Sequence, residues 1–248
     1  MSFIDLFSDR ADLYAAARPT YPDALFDFVA ASAPGRQAAW DCGCGNGQAA
    51  RGLARHFARV EASDASAAQI EHATAMPGVR FSVQPAEATE FVDASFDAVC
   101  VAQALHWFDH DRFYAEVRRV LRPRGVLVAW AYDWMEIEPG FDAAFKQSLL
   151  DVIEPHWPPQ NALVWGGYRE LQFPFDPIAS PPLRMALDWS FEQTLAYALS
   201  WSATQRCVAV QGEAFFKRAA ARLEPLWGAP ESRRPVHMPL HVRAGRVV

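Results

Sequence analysis

The sequence predicts an α/β fold in which helices flank a mostly parallel sheet. Residues 37–48, QAAWDCGCGNGQ, combine a short apolar run, a turn with three glycines and the start of a helical pattern. This order of strand, glycine turn and helix is the first half of a nucleotide-binding βαβ unit. Further short apolar segments alternate with helical patterns up to residue 131, which is typical of parallel strands joined by crossover helices.

Length and composition limit the kinds of protein that this chain can be. Its 248 residues are enough for one α/β domain with a small appendage, and 51% hydrophobic against 21% charged residues indicate a globular protein with a large core. A net charge of −6 gives no reason to expect a nucleic acid as partner. No apolar run approaches the ~18 residues of a membrane span, and no signal peptide is visible. We therefore expect a cytoplasmic protein with no membrane partner.

The spacing of the glycines decides which ligand the turn can bind. A dinucleotide fingerprint needs a glycine where the chain has Gln48, and a Walker loop needs a lysine that is also missing. Instead, Asp41 precedes Gly43, Gly45 and Gly47, and a carboxylate at a strand end suits a cation such as the ammonium of a methionyl group. For the glycines alone, an ordinary βα turn is an open alternative.

The run D-x-G-x-G-x-G resembles motif I of the class I S-adenosylmethionine-dependent methyltransferases. This resemblance implies that Asp41 and the three glycines bind S-adenosyl-L-methionine, which leaves as S-adenosyl-L-homocysteine. It also implies a Rossmann-like, seven-stranded, mostly parallel sheet with an antiparallel hairpin at its edge, an N-terminal helical lid and a helical insertion after the fifth strand. The likeness is strong over about residues 3–131 and looser beyond them.

The first two strands are predicted at Ala38–Cys42 and at residues 59–63, the second ending at Asp64. The segment VEASDAS resembles the family's V-x-G-x-D-x-S, in which the acid binds both ribose hydroxyls with its two carboxylate oxygens. Asp64 is therefore predicted to bind the ribose, and it could also cap a helix that begins near Ser66. Glu61 competes for this role, but its position inside the strand directs it to a face of the sheet.

The next two strands are predicted at Val79–Val83 and Phe96–Ala102. Ala86 and Glu87 resemble the segment after the third strand that holds the adenine in the family, although many relatives have an aspartate where this chain has Pro85. Gln103 opens the loop after the fourth strand. Because open α/β sheets bind ligands at the carboxyl ends of their strands, this loop is predicted to face the cofactor.

The loop after the fourth strand also carries His106 and Trp107, which we predict to contact the substrate. His106 is the candidate catalytic residue, as a proton acceptor, and a buried histidine without a chemical role is an equally open alternative. His106 and His110 lie four residues apart, but no third ligand accompanies them and no metal site is predicted. A helix over about residues 111–121 is predicted to end at Pro123 and Gly125, and a fifth strand to follow at residues 126–130.

Residues 3–22 form an aromatic segment that ends in R-P-x-Y-P. It resembles the leader of small-molecule methyltransferases of the trans-aconitate methyltransferase group, which closes over the cofactor as a lid. The resemblance implies that Tyr14 and Arg18 contact the cofactor and that Arg18 and Tyr21 contact the substrate, because a guanidinium can clamp a carboxylate. A packed arm with Arg18 in solvent is the alternative. Pro22 suits the first turn of a following helix.

Beyond residue 131 the pattern is helical and aromatic, with a helix over about residues 141–153 and a last helix over 216–227. Ser190 with Gln193, and Ser202 with Gln205, are predicted capping boxes. The last two strands are predicted at Leu183–Trp189 and residues 235–242. We expect one methyltransferase domain over residues 1–248: an arm or lid (1–35), a cofactor-binding core (36–131), and substrate-capping helices with the last strands (132–248).

These features predict an S-adenosylmethionine-dependent methyltransferase that acts on a small molecule, with O-methylation of a carboxylate favoured. A carboxyl group with a pKa near ~4 is already a nucleophile at neutral pH, whereas an amine, thiol or phenol would need a base, for which His106 is the nearest residue. N-, S- or C-methylation of another metabolite and a non-catalytic cofactor-binding regulatory module stay open as alternatives. Gln48 disfavours a nicotinamide oxidoreductase. Neither the acceptor nor the oligomeric state is predicted.

Overall fold

The computed structural model describes residues 19–132, 134–229 and 231–247. Tyr14, Arg18 and most of the predicted lid lie outside the described residues. The chain divides into two compact units. We call the first the sheet unit (residues 20–132, 160–184 and 239–247) and the second the helical unit (Pro19 and residues 134–159, 185–229 and 231–238). The expectation of one methyltransferase domain over the whole chain stays a prediction.

Within the described residues, the sheet has eight strands, one more than predicted. They are β1 (Ala38–Cys42), β2 (Arg59–Asp64), β3 (Val79–Val83), β4 (Phe96–Ala102), β5 (Leu121–Tyr132), β6 (Asp176–Pro177), β7 (Leu183–Trp189) and β8 (Arg234–Arg246). Their order is β3-β2-β1-β4-β5-β8-β6, and β7 also pairs with β8. The first five strands of this order are parallel, and β8 is antiparallel to β5 and β6. The predicted mostly parallel sheet with an antiparallel edge is confirmed.

Helices connect the strands as the α/β class requires. The sheet unit contains α1 (Asp23–Ser32), α2 (Gln48–Leu53), α3 (Ala67–Glu71), a 3₁₀ turn (Leu105–Trp107), α4 (His110–Val120) and α7 (Asn161–Trp165). The helical unit contains α5 (Pro139–Phe145), a π-helical turn (Lys146–Leu150), α6 (Asp151–Ile153), a 3₁₀ turn (Glu154–His156), α8 (Phe191–Ser200), α9 (Ser202–Gln211) and α10 (Ala214–Trp227). Helices therefore follow β5 as predicted, and α8 to α10 connect β7 to β8. No helix in the described part of the chain combines the length and apolarity needed to cross a membrane.

The central strand β1 is buried over its whole length, which is typical of the middle of a parallel sheet. Its beginning is fixed by Asp97 at the start of β4. The Asp97 carboxylate accepts the backbone N–H groups of Gln37 at 2.8 Å and Ala38 at 3.0 Å, and it pairs with Arg122 at 2.8 Å. This anchor holds the register of β1, at whose other end Asp41 lies.

The boundary between α4 and β5 differs from the prediction. The helix begins and ends one residue earlier than predicted, and β5 starts at once at Leu121. Pro123 and Gly125, which were expected to separate the two elements, lie inside the strand. Leu121 pairs with Phe96, and the pairing of β4 with β5 is irregular directly after it, so that a bulge accommodates proline and glycine in a strand.

Of the two predicted capping boxes, one is confirmed. The backbone N–H of Gln193 donates to Ser190 Oγ at 3.3 Å, and the Ser190 N–H donates to Gln193 Oε1 at 3.0 Å. The second box is wrong, because α9 is capped by Trp201 and Ser202 is already its first residue. The backbone N–H of Gln205 donates to the Trp201 carbonyl at 3.0 Å instead.

Candidate functional site

Asp41 lies near the carboxyl end of β1 and is fully buried. Neither of its carboxylate oxygens has a hydrogen-bond partner among the described residues. Burial raises the pKa of Asp41 to about 7. The backbone N–H of Ala50, which does not meet the geometry of a hydrogen bond to the carboxylate, opposes this rise, and the charge of Asp64 adds to it. A buried carboxyl group with two unpaired oxygens is costly, and a cation beside it would remove that cost.

The glycine turn follows Asp41 directly. Gly43, Gly45 and Gly47 have φ angles of 67°, 54° and 91°, a region that side chains other than glycine rarely adopt. A Cβ on Gly43 would meet the Ala104 side chain at 2.7 Å, and one on Gly47 would meet the Phe81 ring at 2.7 Å. A Cβ on Gly45 would meet nothing nearer than 3.6 Å. The protein therefore leaves space beside Gly45, where a ligand can approach the backbone.

Asp64, at the end of β2, stabilises this turn through hydrogen bonds to its carboxylate. Its Oδ2 accepts the backbone N–H of Gly45 and its Oδ1 accepts that of Ser66, both at 2.9 Å. Ser66 itself caps α3 through its own side chain, so the cap is not Asp64. Each carboxylate oxygen can accept a further bond, and the position remains compatible with a diol ligand. Glu61 is buried and lies 3.7 Å from Arg59, in agreement with its predicted direction.

Ala86 and Glu87 lie in the segment after β3. Ala86 is buried, and Glu87 Oε1 accepts the backbone N–H of Asp109 at 3.1 Å. Asp109 caps α4 through a bond from the Arg112 N–H at 3.3 Å. The carboxylate of Glu87 therefore joins the loop after β3 to the loop after β4, a link that nothing in the sequence pattern indicated.

Gln103 directly follows β4 and has a left-handed conformation, with φ at 54°. Its backbone N–H donates to the Trp130 carbonyl at 2.9 Å. Its side-chain Oε1 is buried and has no partner among the described residues. Non-glycine residues with positive φ are uncommon, and they occur often at binding sites, where the surroundings hold the strain.

His106 is buried in the 3₁₀ turn that follows Gln103, and its Nδ1 lies 3.0 Å from the hydroxyl oxygen of Tyr168. Burial lowers the pKa of His106 to about 4, and His110 contributes in the same direction. His106 is therefore neutral at pH 7. Tyr168 is fully buried and has a φ of 56°. Sequence reasoning missed Tyr168 as a site residue, and the two preceding glycines, Gly166 and Gly167, are the one local signal of an unusual turn.

The other predicted substrate residues lie at the same end of the sheet unit. Trp107 is 54% exposed, and its ring centroid lies 4.8 Å from that of His106. Tyr21 packs edge-to-face on Trp130 at 5.5 Å. Burial raises the pKa of Tyr21, and Tyr132, then Asp41 and Tyr168, add smaller effects in the same direction. Tyr21 is therefore close enough to Asp41, and to Tyr168, the hydrogen-bonding partner of His106, for both to influence its pKa.

The other polar groups nearby have structural partners. His110 Nε2 lies 3.0 Å from the Leu105 carbonyl oxygen. Among the described residues, no group of three or more histidine, cysteine, aspartate or glutamate side chains is arranged to hold a metal ion. Cys42, Cys44 and Cys100 are buried, and burial raises the pKa of each thiol, so none is activated as a thiolate.

Known proteins are similar to this chain in sequence and in fold. Residues 40–129 match the family model described as a methyltransferase domain. The chain is 31% identical to a candidate methyltransferase of Dictyostelium discoideum over 204 residues, covering 81% of this chain and 78% of that protein. The chain belongs to the methyltransferase family. An uncharacterized methyltransferase of Mycobacterium tuberculosis is also 31% identical, over 70% of this chain and 75% of its own length.

The solved structures agree with this membership. A candidate type II methyltransferase from Anaeromyxobacter dehalogenans has 42% sequence identity and a TM-score of 0.87, covering 92% of this chain and 97% of that one. The predicted class I S-adenosylmethionine-dependent methyltransferase fold and enzyme class are therefore confirmed. S-adenosyl-L-methionine is the cofactor of this class, and the residues present fit it: the unpaired oxygens of Asp41 suit its ammonium group, and the backbone at Gly45 is free to be approached.

Proposed function

We propose that this methyltransferase transfers the methyl group to a carboxylate oxygen of a small acid. The observation that carries the proposal is the buried His106, whose Nδ1 lies 3.0 Å from the Tyr168 hydroxyl oxygen and whose pKa burial lowers to about 4. A base of this strength removes a proton from an amine, thiol or phenol poorly at neutral pH. A carboxylate acceptor needs no such step, because it is already ionised. The resemblance of the N-terminal segment to the trans-aconitate methyltransferase group supports the same acceptor class.

The cofactor, in this proposal, is held by groups along the carboxyl ends of β1 to β4. Asp41 pairs with the ammonium, the glycine turn lies against the methionyl part, and Asp64 accepts bonds from the ribose hydroxyls. Ala86 and Glu87 lie against the adenine, and Gln103 faces the methionyl part. Tyr14 and Arg18, outside the described residues, are proposed as further cofactor contacts.

The acceptor, in this proposal, lies against Tyr21, His106 and Trp107, and Arg18 clamps its carboxylate. Bound S-adenosyl-L-methionine supplies a methyl group on a positively charged sulfur. The acceptor oxygen forms the new C–O bond while the C–S electron pair stays on sulfur, so the products are a neutral methyl ester and S-adenosyl-L-homocysteine. The protein's part is to align the carboxylate and to exclude water from it. The small-molecule acceptor and the cytoplasmic location stay predictions.

The charge balance of the reaction gives a direct test. Methylation of a carboxylate releases no proton, whereas methylation of an ammonium, thiol or phenol releases one proton per methyl group. A metabolite extract incubated with enzyme and methyl-labelled cofactor should yield a labelled product that releases labelled methanol in alkali, as esters do. With the purified acceptor in weakly buffered solution, we expect no proton release during turnover. An alkali-stable product, or one proton released per transfer, would refute carboxylate methylation.

A further inference from the structure

The hydrogen bond between His106 and Tyr168 has a direction, and the direction decides what His106 can do. The hydroxyl oxygen of Tyr168 and Nδ1 of His106 are 3.0 Å apart, and both side chains are buried. A neutral imidazole carries one hydrogen, on either Nδ1 or Nε2. Either Tyr168 donates to an unprotonated Nδ1, or a protonated Nδ1 donates to Tyr168.

The surroundings of Tyr168 favour the first arrangement. Within the described residues, His106 is the hydrogen-bonding partner of the Tyr168 hydroxyl. If Nδ1 donated, the O–H of Tyr168 would be left without an acceptor in a buried place, at the cost of an unmade hydrogen bond. If Tyr168 donates, both its hydrogen and the Nδ1 lone pair are satisfied.

The backbone holds Tyr168 in this place at a cost. Its φ of 56° lies in the left-handed region, which is strained for a bulky residue. Three hydrogen bonds stabilise the turn: the Tyr168 N–H donates to Leu163, and the Tyr168 carbonyl accepts from Arg243 Nη1 at 3.0 Å and from the Leu171 N–H at 3.2 Å. A strained residue held this firmly, with its hydroxyl at a candidate catalytic histidine, fits a positioning role.

We propose that Tyr168 is a positioning residue that fixes His106 as the Nε2–H tautomer, so that His106 donates a hydrogen bond to the acceptor's carboxylate. Among the described residues, the hydrogen bond that the structure gives for the His106 ring is the one at Nδ1, so the proposal assigns Nε2 to the ligand. In this tautomer Nδ1 is the nitrogen that could take up a proton, and its lone pair already accepts the hydrogen bond from the Tyr168 hydroxyl. His106 then selects an acceptor that presents a lone pair and needs no deprotonation. The inference rests on the proposed function, since the acceptor class comes from there.

The tautomer is measurable without the acceptor. With ¹⁵N-labelled histidine in the full chain at pH 7 and S-adenosyl-L-homocysteine present, long-range ¹H–¹⁵N correlation spectra distinguish a protonated from an unprotonated ring nitrogen, and His106→Gln assigns the signals. We expect Nε2 to carry the hydrogen and Nδ1 to be unprotonated. A hydrogen on Nδ1 would overturn the inference and leave carboxylate methylation untouched.

Tyr168→Phe tests the positioning role, with Tyr114→Phe as the matched control. Tyr114 is also a buried tyrosine of the sheet unit, but its hydroxyl has no hydrogen-bond partner among the described residues. In Tyr168→Phe we expect a mixture of both His106 tautomers, an unchanged dissociation constant for S-adenosyl-L-homocysteine, and a loss of about five- to tenfold in the rate of methyl transfer in the extract. Tyr114→Phe should change none of these.

The outcomes separate the two proposals. If Tyr168→Phe keeps a single Nε2–H tautomer and the wild-type rate, Tyr168 does not position His106. If that variant fails to fold, the tautomer of the wild-type protein still decides the inference. If the Nε2–H tautomer is found but the product releases a proton or resists alkali, the carboxylate proposal fails while the direction of the hydrogen bond stands.

Discussion

Three aspartates at the ends of strands in the sheet unit differ in what their carboxylates contact. Asp97 accepts two backbone N–H groups and pairs with Arg122, and Asp64 accepts two backbone N–H groups. Asp41 has no hydrogen-bond partner among the described residues and is fully buried. A buried carboxyl group without partners favours its neutral form. The charge of Asp41 therefore depends on what binds beside it.

Cofactor affinity should depend on pH through Asp41. Its pKa is raised to about 7, so below pH 7 the group must lose a proton before it can pair with an ammonium. The dissociation constant for S-adenosyl-L-methionine should therefore rise by up to about tenfold for each pH unit below 7 and level off above pH 8. Calorimetric titration between pH 5 and 8.5 measures this profile.

The control is Asp41→Asn, which cannot ionise. At pH 8 it should weaken binding by about 10- to 150-fold, the loss of one charge-assisted hydrogen bond. Its remaining affinity should show no slope between pH 5 and 7. A wild-type profile that is flat over this range would mean that Asp41 does not pair with the cofactor's cation.

Local patterns predicted some of these residues but could not predict their partners. Asp41, the three glycines and Asp64 follow one another along 24 positions of sequence, and the resemblance of these segments to the methyltransferase motifs predicted a cofactor site there. Tyr168 lies 62 positions from His106, and no periodicity connects the two. Asp64 shows the same limit, because its bond to the Gly45 N–H, 19 positions away, depends on how the β1 and β2 loops meet in space.

At the scale of elements, residues at both ends of α4 form hydrogen bonds with the segment that follows β3. Near its beginning, Glu87 accepts the Asp109 N–H. Near its end, Glu116 accepts the N–H and hydroxyl of Thr89 at 2.8 and 2.5 Å, and it pairs with Arg119 at 2.7 Å. Burial opposes the ionisation of Glu116, but the hydrogen bonds from Arg119 and Thr89 hold its pKa below the ordinary value. The segment that carries Ala86 and Glu87 is therefore fixed by a network on one helix.

Arg119 holds this network by its geometry as well as by its charge. Its guanidinium donates to Glu116, to Asp93 at 2.6 Å, and to the carbonyls of Thr89 and Phe91 at 3.2 and 2.6 Å. A lysine cannot make bonds in so many directions. Arg119→Lys should therefore speed up amide hydrogen exchange in residues 84–95 and weaken S-adenosyl-L-methionine by about fivefold.

The neighbouring arginine provides the control. Arg118 donates to the Pro174 carbonyl at 2.6 Å and lies over the Phe175 ring, away from residues 84–95. Arg118→Lys should leave both the exchange of that segment and the cofactor affinity unchanged. Equal effects of the two substitutions would show that general loss of helix stability, and not the network, controls the segment.

At the scale of the whole molecule, the sequence predicted the bounds of strands in the sheet unit more accurately than the bounds of helices in the helical unit. In the sheet unit, buried apolar runs and helical patterns were sufficient to place β1, β3 and β4 at their observed bounds. In the helical unit, aromatic rings from distant segments pack together. Trp134, Trp157 and Trp201 have centroids 5.5 to 6.2 Å apart. Such contacts leave no period in the sequence, so the helices there were predicted with less accurate bounds and one wrong cap.

The free energy of unfolding of the whole protein should also depend on the charge of Asp41. Since its folded pKa is about 7 and that of an unfolded aspartate is near ~3.9, the folded state binds the proton more tightly. The free energy of unfolding without cofactor should therefore fall as pH rises from 4 to 7, by up to about 1.4 kcal/mol per unit from this group, and stay level above pH 7.

Asp41→Asn should remove this contribution, because an asparagine resembles the protonated carboxyl group and never ionises. In urea unfolding without cofactor, the variant should gain stability over the wild type as pH rises from 5 to 8, with a relative change of about 3 kcal/mol.

Asp97→Asn is the control, since it breaks an ion pair with Arg122 and should destabilise the protein at pH 8. Saturating S-adenosyl-L-methionine should narrow the difference at pH 8 by about 1.4 to 3 kcal/mol, because the roughly 10- to 150-fold tighter binding by the wild type stabilises its folded state more by mass action. If Asp41→Asn and the wild type keep a constant difference in stability from pH 5 to 8, then the buried carboxyl group does not ionise in this range, and the link between its charge and the cofactor is lost.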